Sequence, residues 1–249
     1  MARQTALPGA PTPRTTRLLA CGIVAGPLFL AAGLIQASTR GGFDLSHHPL
    51  SLLSLGELGW VQIANFVVTG VLYAACAVGM WRVLRPGPSG TWGPLLVGGL
   101  GVGLIMAGVF VTDAGAGFPP GAPAGRPEQI SWHGILHEVG FMLAVGGMIV
   151  GCLVFVRRFA ALRQWGWAGA CVATVVAVGV LAAWPDLDGV SVRLVIASAI
   201  LFGFVAALAA RLMRGLADAD ELMVEVDAVG TGAPARSAPT ANRRPVREP

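Results

Sequence analysis

The sequence predicts an all-α polytopic membrane protein: a bundle of six transmembrane helices with a short interfacial helix in its first outer loop. Three observations carry that prediction. The 249 residues are 55% hydrophobic and 12% charged, with a mean hydropathy of +0.70, a balance that soluble chains rarely keep. Six apolar runs, at 18–37, 60–81, 92–112, 132–156, 166–184 and 191–213, each approach the roughly 20 residues a helix needs to cross hydrocarbon. All seven tryptophans (Trp60, Trp81, Trp92, Trp132, Trp165, Trp167 and Trp184) fall at the ends of those runs, where an indole buries its ring and keeps its N–H wet.

The first run is longer than a signal-peptide core, and no small-x-small cleavage site follows it around Gln36–Thr39, so an uncleaved anchor is expected. The first outer loop then reads Asp44-Leu45-Ser46-His47-His48-Pro49-Leu50 and on to Gly56. Pro49 suits the first turn of a helix, Ser46 or His48 could cap it, and Gly56 would end it. The second run opens with Gln62 and Asn65, and the third ends at Thr112. The loop from Asp113 to Gly121 is too rich in Gly and Pro for regular structure and is expected to fold over the outer face. The fourth run starts with His133, His137 and Glu138 in its first turns. Between the fifth and sixth, Asp186 and Asp188 should pair locally with Arg193.

Orientation follows from arginine, because the chain has no lysine. Arg3, Arg14, Arg17, Arg82, Arg85, Arg157, Arg158, Arg163, Arg211 and Arg214 lie near one face, against Arg40, Arg126 and Arg193 near the other. The positive-inside rule then puts both termini in the cytoplasm and the protein in the inner or plasma membrane. Residues 1–17 and 214–249 are read as disordered cytoplasmic tails, since they are rich in Pro, Ala, Thr and charge. Cys21, Cys76, Cys152 and Cys171 lie within spans and are expected to pack without forming disulfides. Gly22 with Gly26, Gly99 with Gly103 and Gly147 with Gly151 are small-xxx-small pairs suited to close helix packing. No phosphate loop, dinucleotide fingerprint or serine-hydrolase elbow is present, and nucleic acid is not an expected partner.

Outside the tails, the acidic residues and all four histidines map to the outer face. A polar outer vestibule over an apolar inner plug is therefore expected, formed by Asp44, His48, Ser51, Gln62, Asn65, Asp113, His133, His137 and Glu138. A charge within a span costs about 2.5–3.5 kcal/mol at the bilayer centre and less near the interface, so such residues should face the bundle interior and find partners. His133 and His137 are four apart, on one helix face, and could share a metal ion with Asp113 and His48; zinc is the cofactor such a set would take. Glu138 points roughly 100° away from His137.

With these loops read, a resemblance can be stated. The stretches DLSHHPLSLLSLGELGWVQIANFVVTG from Asp44, VFVTDAGAGFPPGAPA from Val109 and SWHGILHEVG from Ser131 resemble the prokaryotic membrane family DUF 998 across about residues 18–213. The resemblance implies a six-helix integral membrane protein and no defined activity. Three functions compete. The first is a non-enzymatic protein whose vestibule binds a lipid headgroup, a small solute or a partner protein. The second is a metal-dependent intramembrane hydrolase of a lipid amide or ester, similar in outline to the alkaline ceramidases, in which zinc activates a water. The third is a transporter, against which the apolar cytoplasmic halves argue.

Overall fold

The computed structural model describes residues 13–230, apart from 87, 126, 128 and 185–188. Six α-helices dominate it: α1 Pro13–Thr39, α2 Gly59–Leu84, α3 Pro88–Val109, α4 Trp132–Ala161, α5 Trp165–Ala183 and α6 Val190–Gly230, with a 3-10 turn over Leu50–Ser54. All six helices are long and apolar enough to cross a membrane. Among the described residues the β contribution is a single isolated bridge between Gly115 and Phe118. The molecule is a multi-pass integral membrane protein. Its outer surface carries the apolar load expected of a lipid-facing wall, with Val24, Val71, Val102, Val150 and Val176 all exposed. Six of the seven tryptophans are exposed at helix ends, while Trp167 packs inward.

Consecutive helices pack antiparallel, and α6 returns to α1. One end of the bundle bears the loops 40–58 and 110–131 (the loop face), and the other bears Arg14, Arg17, Arg82, Arg85, Arg157, Arg158, Arg163, Arg211 and Arg214 (the arginine face). The tightest seams are α2 to α3 and α3 to α4, and both are made by glycine. A Cβ on Gly70 would lie 2.5 Å from the Gly101 carbonyl oxygen, and one on Gly101 2.6 Å from that of Gly70. Gly103 and Gly140 oppose each other in the same reciprocal way on the other side of α3. Backbones can approach so closely only without side chains, which is how helices gain packing energy in lipid. Of the pairs read from sequence, Gly22 and Gly26 do serve this role, against Cys76 and Phe202. Gly99 and Gly147 sit loosely, with nearest neighbours at 3.8 and 3.7 Å.

The helix ends depart from expectation in both tails. Helix α1 begins at Pro13, inside the segment read as a disordered tail, with proline in the first turn where its missing N–H costs nothing. Helix α6 continues to Gly230 instead of ending at 213. Its extension is built from Leu, Ala, Met, Glu, Asp and Val with no glycine or proline from Leu216 to Val229. Extending an existing helix avoids the cost of nucleation, so good helix formers continue it into water. The remaining tail residues, 1–12 and 231–249, lie outside the described residues, as do Arg126, Glu128 and the pair Asp186 and Asp188 expected beside Arg193.

On the arginine face, α5 is held to α6 by Arg211, which donates to Gln164 Oε1 at 2.8 Å and lies 4.9 Å from the Trp167 ring and 5.7 Å from that of Phe159. Towards the loop face α5 buries little: its buried residues are Ala168, Cys171, Thr174 and Val178, and positions 179–184 are exposed or half-exposed. The four cysteines are free thiols, three of them buried in the core.

Candidate functional site

The site is built where α3 stops and α4 starts. Helix α3 ends at Val109, leaving last-turn carbonyls without intrahelical donors. His137, from the first turns of α4, meets this need at Ala107, and it and His133 also serve carbonyls just past the helix end. His133 Nδ1 lies 2.8 Å from the Val111 oxygen, and His137 Nδ1 lies 2.9 Å from that of Ala107 and 3.0 Å from that of Phe110. A carbonyl can only accept, so Nδ1 carries the proton in both rings and Nε2 keeps a lone pair in the neutral form. Donors at a helix C-terminus also suit its dipole.

Asp113 does the converse for α4. It accepts from Ser131 N at 2.9 Å and Ser131 Oγ at 2.6 Å, while the Ser131 side chain caps α4 by accepting from Gly134 N at 3.1 Å. A Cβ on Gly134 would collide with the Asp113 carboxylate, so glycine is what lets the acid sit there. Burial pushes the Asp113 carboxyl up, but the Ser131 hydroxyl and N–H, with His133 and His137 nearby, outweigh it and hold the pKa below its ordinary value.

The two loops latch onto one another above this. His48 is buried; its Nδ1 accepts the Asp44 N–H at 2.8 Å, and its Nε2 donates to the Ala116 carbonyl at 2.8 Å. Phe43 and Phe118 flank its ring with centroids at 5.2 and 5.6 Å. Ala116 adopts a left-handed φ of 55° and Gly117 follows at 82°, which turns this segment of the second loop onto the first. Asp44 accepts from the Ser46 hydroxyl and N–H at 2.7 and 2.8 Å, and these lower its pKa. His47 stays exposed beside it. The 3-10 turn over Leu50–Ser54 buries Leu50, Leu52 and Leu53 against the bundle. Pro49 precedes that turn without a side-chain cap, so neither Ser46 nor His48 fills the capping role.

Gln62 and Asn65 form a separate group with Gln36, between α1 and α2. Gln62 Oε1 accepts from Gln36 Nε2 at 2.8 Å and from Asn65 Nδ2 at 3.2 Å, and Asn65 Nδ2 also reaches the Phe29 carbonyl at 3.1 Å. All three are buried, and this network ties the two helices together.

Below the 3-10 turn lies a cavity of about 190 Å³. Every helix except α5 contributes to its wall: Phe29 of α1, Phe66 of α2, Leu100 to Ala107 of α3, His137 to Val145 of α4, and Ser191 to Phe202 of α6. Phe29 packs edge-on against Phe66 and Phe202, at 5.2 and 5.6 Å, to form an aromatic patch in the wall. The polar lining is Ser51, His137, Glu138, Ser191 and Ser198. At 1.5 Å per residue, the α6 wall from Ser191 to Phe202 spans about 16 Å, half of the ~30 Å hydrocarbon core. The walls on α4 and α6 include exposed Glu138 and half-exposed Phe141, Val145, Leu194 and Val195. These incompletely buried lining residues lie on α4 and α6, the two helices between which α5 packs.

Of the nine residues expected to converge, the cavity gathers Ser51, His137 and Glu138. The other six are spent on the loop latch, the amide group and the α3–α4 hinge. The expected metal set is not assembled: both nitrogens of His48 are engaged, His133 and His137 turn Nδ1 to the carbonyls of Val111 and Ala107, and His133 Nδ1 is 3.9 Å from Asp113 Oδ1. Among the described residues no group of three or more His, Cys, Asp or Glu could hold a metal ion. Ser191 and Ser198 were not read from the sequence as site residues. Their signal was their spacing, two turns apart on one helix, which places both on the face that carries Leu194 and Val195.

Fold and site together define a six-helix integral membrane protein with a mostly apolar cavity beneath latched loops. The family DUF998, described as a protein of unknown function, matches residues 23–218, and the chain belongs to it. No curated protein and no solved structure matches the chain.

Proposed function

We propose that this protein binds a membrane lipid, drawing an acyl segment into the cavity from the leaflet at the loop face. One observation carries the reading: a cavity about one leaflet long, apolar over most of its wall, with incompletely buried lining residues on the α4 and α6 side. A soluble ligand would need an opening through the loops, yet Pro49 and the start of the 3-10 turn, Leu50 and Ser51, line the cavity at that end. At about 190 Å³ the cavity exceeds the ~150 Å³ apolar void that admits benzene and falls below the ~300–1,000 Å³ of drug-sized sites. That volume suits part of one acyl chain, with the rest of the lipid remaining in the bilayer.

The arginine distribution supports a plasma-membrane protein with cytoplasmic termini, so the leaflet is the extracytoplasmic one. Cysteine introduced at Pro120 should react with an impermeant maleimide on intact cells; protection there until the cells are lysed would reverse the orientation. The binding reading is tested with a phospholipid carrying a photoreactive group at mid-chain, in nanodiscs. Crosslinks are expected on Phe141, Val145, Leu194 or Ser198, and Val145→Trp or Ser198→Trp should remove them by filling the space. Crosslinks confined to outward residues such as Val150, or unchanged in both variants, refute it.

A further inference from the structure

The polar end of the cavity has a donor and acceptor pattern that names a chemical class. Glu138 lines it and has no hydrogen-bond or ion-pair partner among the described residues. Ser191, 1% exposed, lines it with a hydroxyl that has no hydrogen-bond partner among the described residues. His137 lines it too, and because Nδ1 is turned to the carbonyls of Ala107 and Phe110, the unbonded Nε2 lies on the opposite edge of the ring. All three residues line this cavity, and each carries an acceptor: a carboxylate, an imidazole lone pair and a hydroxyl oxygen.

We infer that this end of the cavity binds a primary ammonium group. Its three N–H donors match the three acceptors, and its positive charge is complementary to the Glu138 carboxylate. An anionic group would meet the Glu138 carboxylate directly. A neutral hydroxyl would leave that charge unopposed. A quaternary ammonium would supply charge but no N–H, leaving His137 and Ser191 unmet. The ammonium can arrive on a lipid, as an ethanolamine headgroup, or on a free amine. The lipid source rests on the reading of the cavity given above, whereas the ammonium chemistry rests on Glu138, His137 and Ser191.

The test is native mass spectrometry of the full chain offered phosphatidylethanolamine, phosphatidylcholine and phosphatidylglycerol with identical acyl chains, alongside free ethanolamine. At least tenfold preference for phosphatidylethanolamine over both other lipids is expected, falling to parity in Glu138→Gln and by several-fold in Ser191→Ala. Preferential retention of free ethanolamine, lost in the same variants, would keep the ammonium site and assign it a soluble amine. Equal retention of all three lipids with no ethanolamine bound, or selectivity unchanged in both variants, overturns the inference. If the mid-chain crosslinks persist in that case, the lipid-binding reading stands and only the headgroup assignment falls; if they are absent while ethanolamine still binds, the reverse holds.

Discussion

Adding one methyl group at Gly140 tests the seam that carries the site. A Cβ there would lie 2.7 Å from the Gly103 oxygen, 2.9 Å from Met106 Cβ and 3.0 Å from Ala107 N, where ordinary contacts begin near 3.4 Å. Two of these neighbours are backbone atoms, which cannot rotate aside. Helix α4 must therefore withdraw from α3 by about 0.7 Å to relieve the shortest contact. Overpacking of this kind costs ~1–3 kcal/mol, offset by up to ~1 kcal/mol from the better helix propensity of alanine. With the full offset the net loss is about 0–2 kcal/mol, and against a control that shares the propensity gain the deficit is ~1–3 kcal/mol. His137 sits one turn away on α4, so its bonds to Ala107 and Phe110 lengthen in the same movement. The assay is reversible unfolding in mixed micelles, with Gly146→Ala as the control because a Cβ at Gly146 meets open space. Gly140→Ala as stable as Gly146→Ala would show that the α3–α4 contact is not as close as described, and the reasoning about glycine seams would fail with it.

Three further outcomes follow from the polar contacts. His137→Leu should destabilise the protein by ~1–3 kcal/mol in the same micelle assay, because it strips the Ala107 and Phe110 carbonyls of their donor; a change under about 0.5 kcal/mol would deny the capping role. Asp113 has its folded pKa lowered below the ordinary aspartate value, so the stability it adds is full above that ordinary value and is lost as pH falls through the lower folded one. Asp113→Asn should flatten that acid limb of the stability curve, and an unchanged limb would assign it to other carboxyls. Arg211→Ala should loosen α5 at a cost of about 1 kcal/mol, seen as increased quencher access to Trp167 by fluorescence in a background with the other tryptophans replaced by Phe; unaltered quenching would mean that packing alone holds α5.

Much of the architecture could be read directly from residue order, for a physical reason. A bilayer imposes one length and one polarity on every span, so a run such as 60–81 bounded by Trp60 and Trp81 announces helix α2 to within a few residues. Helix ends are less legible, because helix formation continues past the membrane where composition allows it. The Leu, Ala and Glu content after Arg214 extends α6 well beyond the apolar run. Close packing was partly visible. Gly22 and Gly26 are spaced for it and do it, whereas the Gly70–Gly101 and Gly103–Gly140 contacts pair residues on different helices, and no spacing within one segment reveals such a partner.

The site separates the two sources of information most sharply. Sequence alone determined that titratable residues crowd one end of a six-span bundle, since every span has a direction and each polar residue a depth. It could not tell His48, whose nitrogens are consumed by Asp44 and Ala116, from His137, whose second nitrogen remains for the cavity. Nor could it bring Glu138 of α4 and Ser191 of α6 to the wall of one cavity. Those distinctions depend on which groups meet across helices, and hydrogen-bond partners in a membrane interior are set by packing geometry instead of by position along the chain.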